Sequence, residues 1–240
     1  MHNVLMINSS LRKKNTDSVL SQIGKILIDG GMKTELIHLS DYRIGSCTGC
    51  QNCVSNGPCH LNDDVPVLME KIRGADAIVL GSPVYVDNVS GSLKTLADRT
   101  YKWYHIPEAA GKQILFVTTT SATGLKNIKK SFEAIAISWG GSMTDFISRT
   151  SRDLMKPIDM KELSQFISLL QKGKQAYKPS FYEINIFQVK KVLALHSNGQ
   201  DKTFWTANGL FDEDYYFKCK IGFVKKAFSK MIFSLLSKAI

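Results

Sequence analysis

A stretch of thirteen residues, "CTGCQNCVSNGPC" (47–59), holds four of the five cysteines in the chain. The spacing is C-x2-C-x2-C-x5-C, which places them at Cys47, Cys50, Cys53 and Cys59. Such thiols can bind zinc, form disulfides, carry out thiol redox chemistry or hold an iron–sulfur cluster. Three cysteines at successive three-residue steps suit a compact cubane, in which each iron takes one thiolate. Zinc in place of the cluster, or four free thiols, fits the sequence equally well.

The composition is that of a globular protein. The 240 residues are 44% hydrophobic and 22% charged, enough for one sizeable domain and an extension. No signal peptide and no 18-residue apolar run is visible, which predicts a soluble cytoplasmic protein. In that compartment a dense cysteine cluster indicates a metal or redox site rather than a disulfide framework. The distant Cys219 is expected to be an inert thiol.

The net charge of +10 is unevenly distributed along the chain. Residues 1–170 carry 19 basic and 16 acidic side chains, a net charge of +3, whereas residues 171–240 carry 12 and 5, a net charge of +7. Because the basic character belongs to the last third, the charge argues against a nucleic-acid partner for the whole chain.

The elements that must position the cysteines follow from the hydrophobic pattern. Strands and helices alternate five times from residue 3 to residue 177, which predicts a doubly wound five-stranded parallel sheet with helices on both faces. The predicted strands cover residues 3–8, 34–39, 76–83, 113–120 and 142–148. Ligands of such sheets bind beyond the carboxyl ends of the strands, so the loops after strands one, three and four should carry the chemistry.

Two of these loops have suitable residues. "NSSLRKKNT" (8–16) offers hydroxyls and cations at a helix N-terminus, which suits a phosphate group but also an ordinary solvated turn. "GSPVYVDNVSGSLKTLADR" (81–99) forces a turn after strand three and offers Tyr85 as a wall for a planar ligand. Neither a G-x-G-x-x-G nor a G-x-x-x-x-G-K-[ST] motif is present.

Other polar residues have simpler interpretations. Asp63 and Asp64 are expected to cap the helix that follows them. Lys94 and Asp98 lie four residues apart and predict an intrahelical ion pair. His60, next to Cys59, is expected at the surface.

The segment at 81–99 closely resembles the corresponding part of the NAD(P)H-dependent FMN reductase family. The order of motifs is similar too: the loop at 8–16, the cysteine run, then "NDDV". The closest pattern is that of the iron–sulfur flavoproteins, a branch with a compact cysteine motif before the same Asp-Asp. The resemblance covers roughly residues 1–170 and implies a flavodoxin-like fold with bound FMN. It also implies NAD(P)H as electron donor and a homodimer or homotetramer, with Lys94, Asp98 and Arg99 at the subunit interface as the alternative to a simple intrahelical pair.

The resemblance assigns residues to each cofactor. Ser10, Arg12, Asn15 and Thr16 would hold the FMN phosphate. Pro83, Val84, Tyr85 and Asn88 would line the isoalloxazine, and the loop after strand four would complete the site through Thr118, Thr119, Thr120 and Gly124. Cys47, Cys50, Cys53 and Cys59 would ligate a [4Fe–4S] cluster. The chain departs from the family at Ser9-Ser10-Leu11-Arg12, and it has Val86 where an aromatic residue often follows the tyrosine.

The sequence predicts two parts, residues 1–175 as the FMN-binding domain and 176–240 as a basic, aromatic-rich, mainly helical extension. Within the extension, "TFWTANGLFDEDYYF" (203–217) is expected to be a loop. Residues 218–240 hold six lysines and no acid, with apolar residues at helical spacing. This helix is expected to dock on its own domain or a partner subunit, and weak contact with an anionic membrane surface is the alternative.

Three function classes fit these features. The first is an FMN-dependent oxidoreductase that uses NAD(P)H, with a cluster that passes single electrons. The second is a non-enzymatic electron carrier that exchanges electrons with a ferredoxin-like partner. The third is a zinc-stabilised interaction module on a flavodoxin-like fold. No catalytic proton-transfer residue is identified.

Overall fold

The computed structural model describes residues 1–55 and 57–239. Asn56, in the cysteine run, and Ile240, the last residue of the predicted extension, lie outside the described residues. The described chain contains a five-stranded parallel sheet in the order β2-β1-β3-β4-β5. Its strands are β1 (Asn3–Asn8), β2 (Lys33–His38), β3 (Ala77–Pro83), β4 (Gln113–Thr120) and β5 (Ser142–Thr150). This order confirms the predicted flavodoxin-like fold.

Helices connect the strands and continue after the sheet. The first seven are α1 (Asn15–Asp29), α2 (Asn52–Ser55), α3 (Val65–Gly74), α4 (Gly91–Arg99), α5 (Lys102–His105), α6 (Leu125–Trp139) and α7 (Ser164–Lys172). The C-terminal ones are α8 (Phe181–His196), α9 (Gln200–Ala207) and α10 (Phe223–Ala239). Short 3-10 turns lie at Leu39–Asp41, Met160–Leu163 and Lys174–Ala176.

The alternation of side chains along each strand separates two cores. Leu5 and Ile7 of β1 face α3, α4 and α6, whereas Val4 and Met6 face α1 and α7. Both faces of the sheet are therefore covered, which explains why β3 reads as a continuous apolar run that is buried at every position.

The hydrophobic pattern of residues 91–104 predicts one helix, but this segment forms two, because Thr100 interrupts it. The Thr100 hydroxyl bonds back to the carbonyls of Leu96 and Ala97 (3.1 and 2.9 Å), and it accepts a hydrogen bond from the indole of Trp139 (2.8 Å). This back-bonding competes with continuation of the helix. A turn at Thr100 and Tyr101 separates α4 from α5, in which Trp103 is fully buried.

The last third of the chain is mainly helical and has its own aromatic cluster. Phe187 of α8 packs against Trp205, Tyr215 and Tyr216, with ring centroids 4.9–5.8 Å apart. The expectation of a loop over 203–217 is wrong for its first part, which belongs to α9. Burial of Trp205 in this cluster favours the helix over an open loop. The predicted division between residues 175 and 176 stays a prediction.

In the described part of the chain, no helix combines the length and the hydrophobicity that crossing a membrane requires.

The strand order reverses between β1 and β3, so the loops after these two strands diverge at the carboxyl edge of the sheet. This switch point is where open α/β sheets bind ligands.

Candidate functional site

The loop after β1 is held in place by its own polar residues. The Asn8 side chain accepts a hydrogen bond from the backbone N–H of Ser10 (2.9 Å) and donates one to Asp17 (3.0 Å). The Ser9 hydroxyl donates to the carbonyl of Gly81 on β3 (2.9 Å). Strand and loop are thereby tied together before α1 begins.

The N-terminus of α1 opens from this loop with no side-chain cap on its N-cap residue, Lys14. First-turn N–H groups without a capping side chain are suited to bind an anion. Thr16, in this turn, is buried, and its hydroxyl lies 2.8 Å from that of Thr119 at the end of β4. This contact joins the loop after β1 to the end of β4.

The loop after β3 is fixed on both sides. The N–H of Val84 donates to the carbonyl of Thr119 (2.9 Å). Tyr85 and Asn88 then exchange backbone hydrogen bonds of 2.9 and 3.0 Å around a tight turn. The turn residues Val86 and Asp87 have φ values of 47° and 59°, a conformation that a β-branched residue rarely adopts.

Val86 lies at the tip of this turn. Its side chain is 100% exposed, and it does not line the cavity described below.

A chain of serine hydroxyls connects the loops after β1 and β3. Ser90 caps α4 and donates from its hydroxyl to that of Ser9 (2.8 Å), and Ser92 donates to the Ser9 carbonyl (3.0 Å). The Ser82 hydroxyl accepts from the N–H of Ser90 (2.9 Å). Because these groups are buried or partly buried, their mutual hydrogen bonds are needed to keep the loops in register.

Gly124, before α6, approaches the loop after β3 closely. Its φ is +90°, and a Cβ atom there would lie 2.5 Å from Val84 Cγ1 and 2.8 Å from Asp87 Oδ1. Glycine is therefore required for both the backbone conformation and the space.

These loops enclose a polar cavity of about 260 Å³ at the carboxyl edge of the sheet. Nine of the residues assigned to FMN line it: Ser10, Arg12, Asn15, Thr16, Pro83, Val84, Tyr85, Thr119 and Thr120. Lys14, Ser121 and Ser151 line it as well, although the sequence interpretation did not include them. Ser151 follows β5, a position without any motif to point to it.

Three of the assigned residues do not line this cavity. Thr118 is fully buried, and its hydroxyl donates to the Ser82 carbonyl (2.8 Å). Asn88 accepts from Ser131 (2.7 Å) and lines the second cavity, described next. Gly124 contacts Val84, and its lack of a side chain leaves the space that Val84 occupies at the cavity wall.

The donor set of the polar cavity fits the phosphate end of FMN. Two cations, Arg12 and Lys14, and several hydroxyls converge on a helix N-terminus without a capping side chain. Charge-assisted hydrogen bonds from such groups are the usual way to hold a phosphate ester. Tyr85, which is 38% exposed, lies at the rim of the same cavity, where a ring system can extend from it.

The four cysteines of the run line a second, larger cavity of about 630 Å³. Its other walls come from α4, α5, α6 and the turn between α4 and α5, through Lys94, Ala97, Asp98, Arg99, Tyr101, Tyr104, Ser131, Ala134, Ile135 and Ser138. Asn88 and Val89 of the loop after β3 also line it, so the cysteine run adjoins the loop assigned to the flavin.

The thiols differ in environment. Cys47 and Cys50 are exposed, and Cys50 Sγ lies 3.5 Å from Nδ1 of His60, an exposed contact. A hydrogen bond from the backbone N–H of Asn52 lowers the pKa of the Cys50 thiol. Burial, and the charges of the neighbouring thiols, raise the pKa of Cys53. The four sulfur atoms therefore lie close enough for their charges to interact. Burial raises the pKa of the remote Cys219 to about 11.

The cysteine run supplies the kind of ligand that a cluster requires, although its described side chains are not gathered around one metal position. Within residues 1–55 and 57–239, no three His, Cys, Asp or Glu side chains are arranged to hold a metal ion. Four thiols nevertheless face one cavity, which is the donor set of both a [4Fe–4S] cluster and a structural zinc site. Cys47, Cys50, Cys53 and Cys59 are the residues that would hold either.

A buried ion pair lies directly behind the cysteine run. The guanidinium of Arg99 forms a two-pronged salt bridge with Asp63, and its Nη2 donates to Cys59 Sγ (3.5 Å). Asp63 was expected to cap α3, and it does accept from the N–H of Val65 (3.2 Å). Its principal partner is nevertheless Arg99. The predicted pair of Lys94 and Asp98 is confirmed at 2.6 Å on the surface of α4.

The C-terminal segment supports the far wall of this second cavity. Lys190 of α8 is buried and donates to the carbonyls of Ile137 and Ser138 at the end of α6 (2.8 and 3.1 Å). The indole of Trp205 donates to the carbonyl of His105 (2.8 Å). These bonds join α8 and α9 to α5 and α6.

Comparison with known proteins identifies the family and several relatives of this chain. The family model described as NADPH-dependent FMN reductase matches residues 2–145. An iron–sulfur flavoprotein of Archaeoglobus fulgidus is 43% identical over 97 residues, which are 40% of this chain and 48% of that protein. An iron–sulfur flavoprotein of Methanocaldococcus jannaschii is 39% identical over 98 residues, 40% of this chain and 51% of the relative. The matches therefore span about half the length of these curated relatives.

A solved structure agrees in fold. The crystal structure of RosB with a bound 8-demethyl-8-formylriboflavin-5′-phosphate intermediate superposes with a TM-score of 0.56 at 12% identity. The superposition covers 93% of this chain and 92% of that chain, so the likeness extends beyond the sheet into the segment that follows it.

Proposed function

The chain belongs to the NADPH-dependent FMN reductase family, and from this premise we propose that it is an FMN-dependent oxidoreductase that takes electrons from NAD(P)H. The observation that carries the proposal is the polar cavity at the switch point. There the N-terminus of α1, Arg12 and Lys14 meet the loops after β3 and β4. Bound FMN would supply hydride acceptance and one- or two-electron transfer.

The residues of the chain would bind and orient this cofactor. Ser10, Arg12 and Thr16, with the first N–H groups of α1, would hold the phosphate. The turn from Pro83 to Asn88 is fixed by hydrogen bonds at Val84 and by the Tyr85–Asn88 pair, so it would offer a rigid edge to the ring system of bound FMN. Rigid support of this kind fixes the distance and angle at which a nicotinamide can approach.

We further propose that Cys47, Cys50, Cys53 and Cys59 hold a [4Fe–4S] cluster. Support comes from the shared cavity of the four thiols and from its border with the loop after β3. A cluster would pass electrons singly to or from the flavin, so that the protein links a two-electron donor to one-electron chemistry.

Anaerobic purification tests the cofactors. The proposal expects flavin absorbance with near one FMN per chain after acid release, together with iron and sulfide and broad visible absorbance. A yellow protein with near-zero iron would remove the cluster while leaving the flavin enzyme. A colourless protein that contains zinc would instead support a zinc-stabilised interaction module.

Steady-state oxidation of NADPH and NADH tests the activity, with free FMN, a quinone or a dye as acceptor. Turnover supports the enzyme. The second candidate is an electron carrier without a substrate of its own, and the exposure of Cys47 and Cys50 favours it, because a redox partner can approach them directly. Absence of turnover, alongside rapid reduction by a ferredoxin-like protein, would select the carrier.

The assembly of the protein is also a proposal. Lys94 and Asp98 of α4 and the exposed Tyr101 lie at the open side of the second cavity, so we propose that this region forms the interface of a homodimer or homotetramer. Light scattering of the purified protein checks this, and a monomer at all concentrations would contradict it.

A further inference from the structure

Arg99 is the most completely enclosed ionised side chain beside the cysteine run. Its side chain is 1% exposed and that of Asp63 is 5% exposed. One guanidinium nitrogen, Nη1, bonds to Asp63 Oδ2 and to the carbonyl of Gly45 (2.9 Å). The other, Nη2, bonds to Asp63 Oδ1 (3.1 Å) and to Cys59 Sγ (3.5 Å).

Asp63 extends the same network to the start of the loop. Its Oδ2 accepts a hydrogen bond from the N–H of Gly45 (2.8 Å), and its Oδ1 accepts from Val65 at the start of α3. The pair therefore fastens Gly45, Cys59 and Asp63 to the end of α4. Both ends of the loop that carries the four cysteines are anchored at one point.

This geometry is specific to arginine. The planar guanidinium group can donate hydrogen bonds to a carboxylate, a carbonyl and a sulfur atom at once. A lysine ammonium on its flexible side chain cannot reproduce that arrangement. An ion pair this deeply buried is costly to desolvate and is weak evidence for stability in itself. The chain places it directly against a thiol of the run, and this location points to a role at the sulfur.

We propose that Arg99 is a positioning residue for the metal cluster, fixing the ends of the cysteine loop and donating a hydrogen bond to the Cys59 sulfur. This inference rests on the proposed function. An N–H donor and a positive charge beside a cluster sulfur stabilise the more negative, reduced state, and so raise the reduction potential. Arg99 would thereby make the cluster easier to reduce by the flavin.

The test compares Arg99→Lys with the wild-type protein, both purified anaerobically. Redox titration should show a more negative cluster midpoint potential, with the FMN midpoint unchanged as an internal reference. Iron release to a chelator should become roughly 10–100-fold faster, as is typical when a residue that supports a metal ligand is changed. A purely structural role would not shift one potential and spare the other.

The chain offers a matched control. Arg149 also has a buried side chain and forms a two-pronged salt bridge with Glu162, and it donates to the carbonyls of Lys156 and Pro157, outside the cysteine run. Arg149→Lys should leave both the cluster potential and the rate of iron release unchanged. The double variant Arg99→Gln with Asp63→Asn avoids a buried unpaired charge and should lower the cluster potential further than Arg99→Lys.

The outcomes separate this inference from the proposed function. A wild-type protein that binds iron and sulfide, with Arg99 variants of unchanged potential and iron release, would overturn the inference alone. A wild-type protein without a cluster would overturn both the inference and the cluster assignment. If both Arg99 variants lose FMN together with the cluster, Arg99 serves the whole fold and the inference fails.

Discussion

The ammonium nitrogen of Lys190 lies 4.6 Å from the ring centroid of Tyr104. Tyr104 lines the cysteine cavity, and Lys190 belongs to α8, which follows the flavodoxin-like sheet in the chain. The contact makes the C-terminal segment part of the support of the cavity wall. Displacement of α8 would therefore be transmitted to the surroundings of the cysteines.

The buried Lys190 should make the free energy of unfolding of the protein depend on pH. Burial lowers the pKa of this amine to about 7, from an ordinary value near 10.5. Between these two values the unfolded chain binds more protons than the folded chain, so stability should rise with pH from about 7 towards 10. The slope should be up to about 1.4 kcal/mol per pH unit. Denaturant unfolding at several pH values measures it.

Lys190→Met provides the control, because its unbranched side chain is only one atom shorter and carries no charge. The unfolding free energy of the wild type minus that of this variant should increase as the pH rises from 7 to 10. Tyr104 and Tyr216, the two rings beside Lys190, have raised pKa values and titrate above this window. The pKa of nearby His105 is lowered by burial, so it titrates below the window. A constant difference would contradict the prediction.

Arg12→Ala should weaken FMN binding. Loss of one charged hydrogen bond to a phosphate costs about 1.5–3 kcal/mol, which corresponds to a roughly 10–100-fold higher Kd. Fluorescence titration of the apoprotein with FMN measures this. The neighbouring Lys13 is engaged with Asp41 (2.8 Å) and does not line the polar cavity, so Lys13→Ala should bind FMN as the wild type does. Equal losses in the two variants would point to general electrostatics instead.

Gly124→Ala should impair both stability and FMN affinity. A methyl group there strains the backbone at a φ of +90° and pushes against Val84, which lines the polar cavity. Gly31 has a φ of +80° with nothing within 4 Å of its Cβ position. Gly31→Ala should therefore lose about 1 kcal/mol of stability without any change in FMN affinity. Thermal unfolding and FMN titration of both variants check this, and wild-type affinity in Gly124→Ala would contradict it.

We predict that the outer side of α10 contacts anionic membranes. Phe181 and Phe228 pack edge to face between α8 and α10, and Ser229 is buried against Gln188. Val224 and Leu235 remain exposed, among lysines. The full chain should sediment with vesicles rich in phosphatidylserine, and less so with neutral vesicles.

Val224→Ser combined with Leu235→Ser is the matching variant, because these side chains are exposed and their change leaves the packing on α8 intact. It should sediment less than the wild type with the anionic vesicles. Equal sedimentation of the two proteins would contradict contact through these apolar side chains, and no sedimentation of either protein would dismiss membrane contact altogether.

Most of the fold could be predicted because local patterns encode it. Each strand is a short apolar run bounded by turn residues, and the helices between them are amphipathic. The alternation of the two leaves little choice of topology. The errors occurred where a tertiary contact overrides local preference. Thr100 ends a helix because its hydroxyl meets Trp139, and residues 203–207 are helical because Trp205 is buried among rings far away in sequence.

The sequence by itself determined the kinds of residue at the site: hydroxyls and cations at the first helix, a rigid turn after β3, and four thiols in one run. Only the tertiary structure decided which of them meet. In the folded protein Thr118 is buried in the core, Val86 is exposed to solvent, and Lys14 and Ser151 line the polar cavity. The tertiary structure also joined Arg99 to Asp63 and Cys59 across 36 and 40 residues. Charge pairs at such separations leave no periodic signal in a single sequence, because the packing of α4 against the cysteine loop creates them.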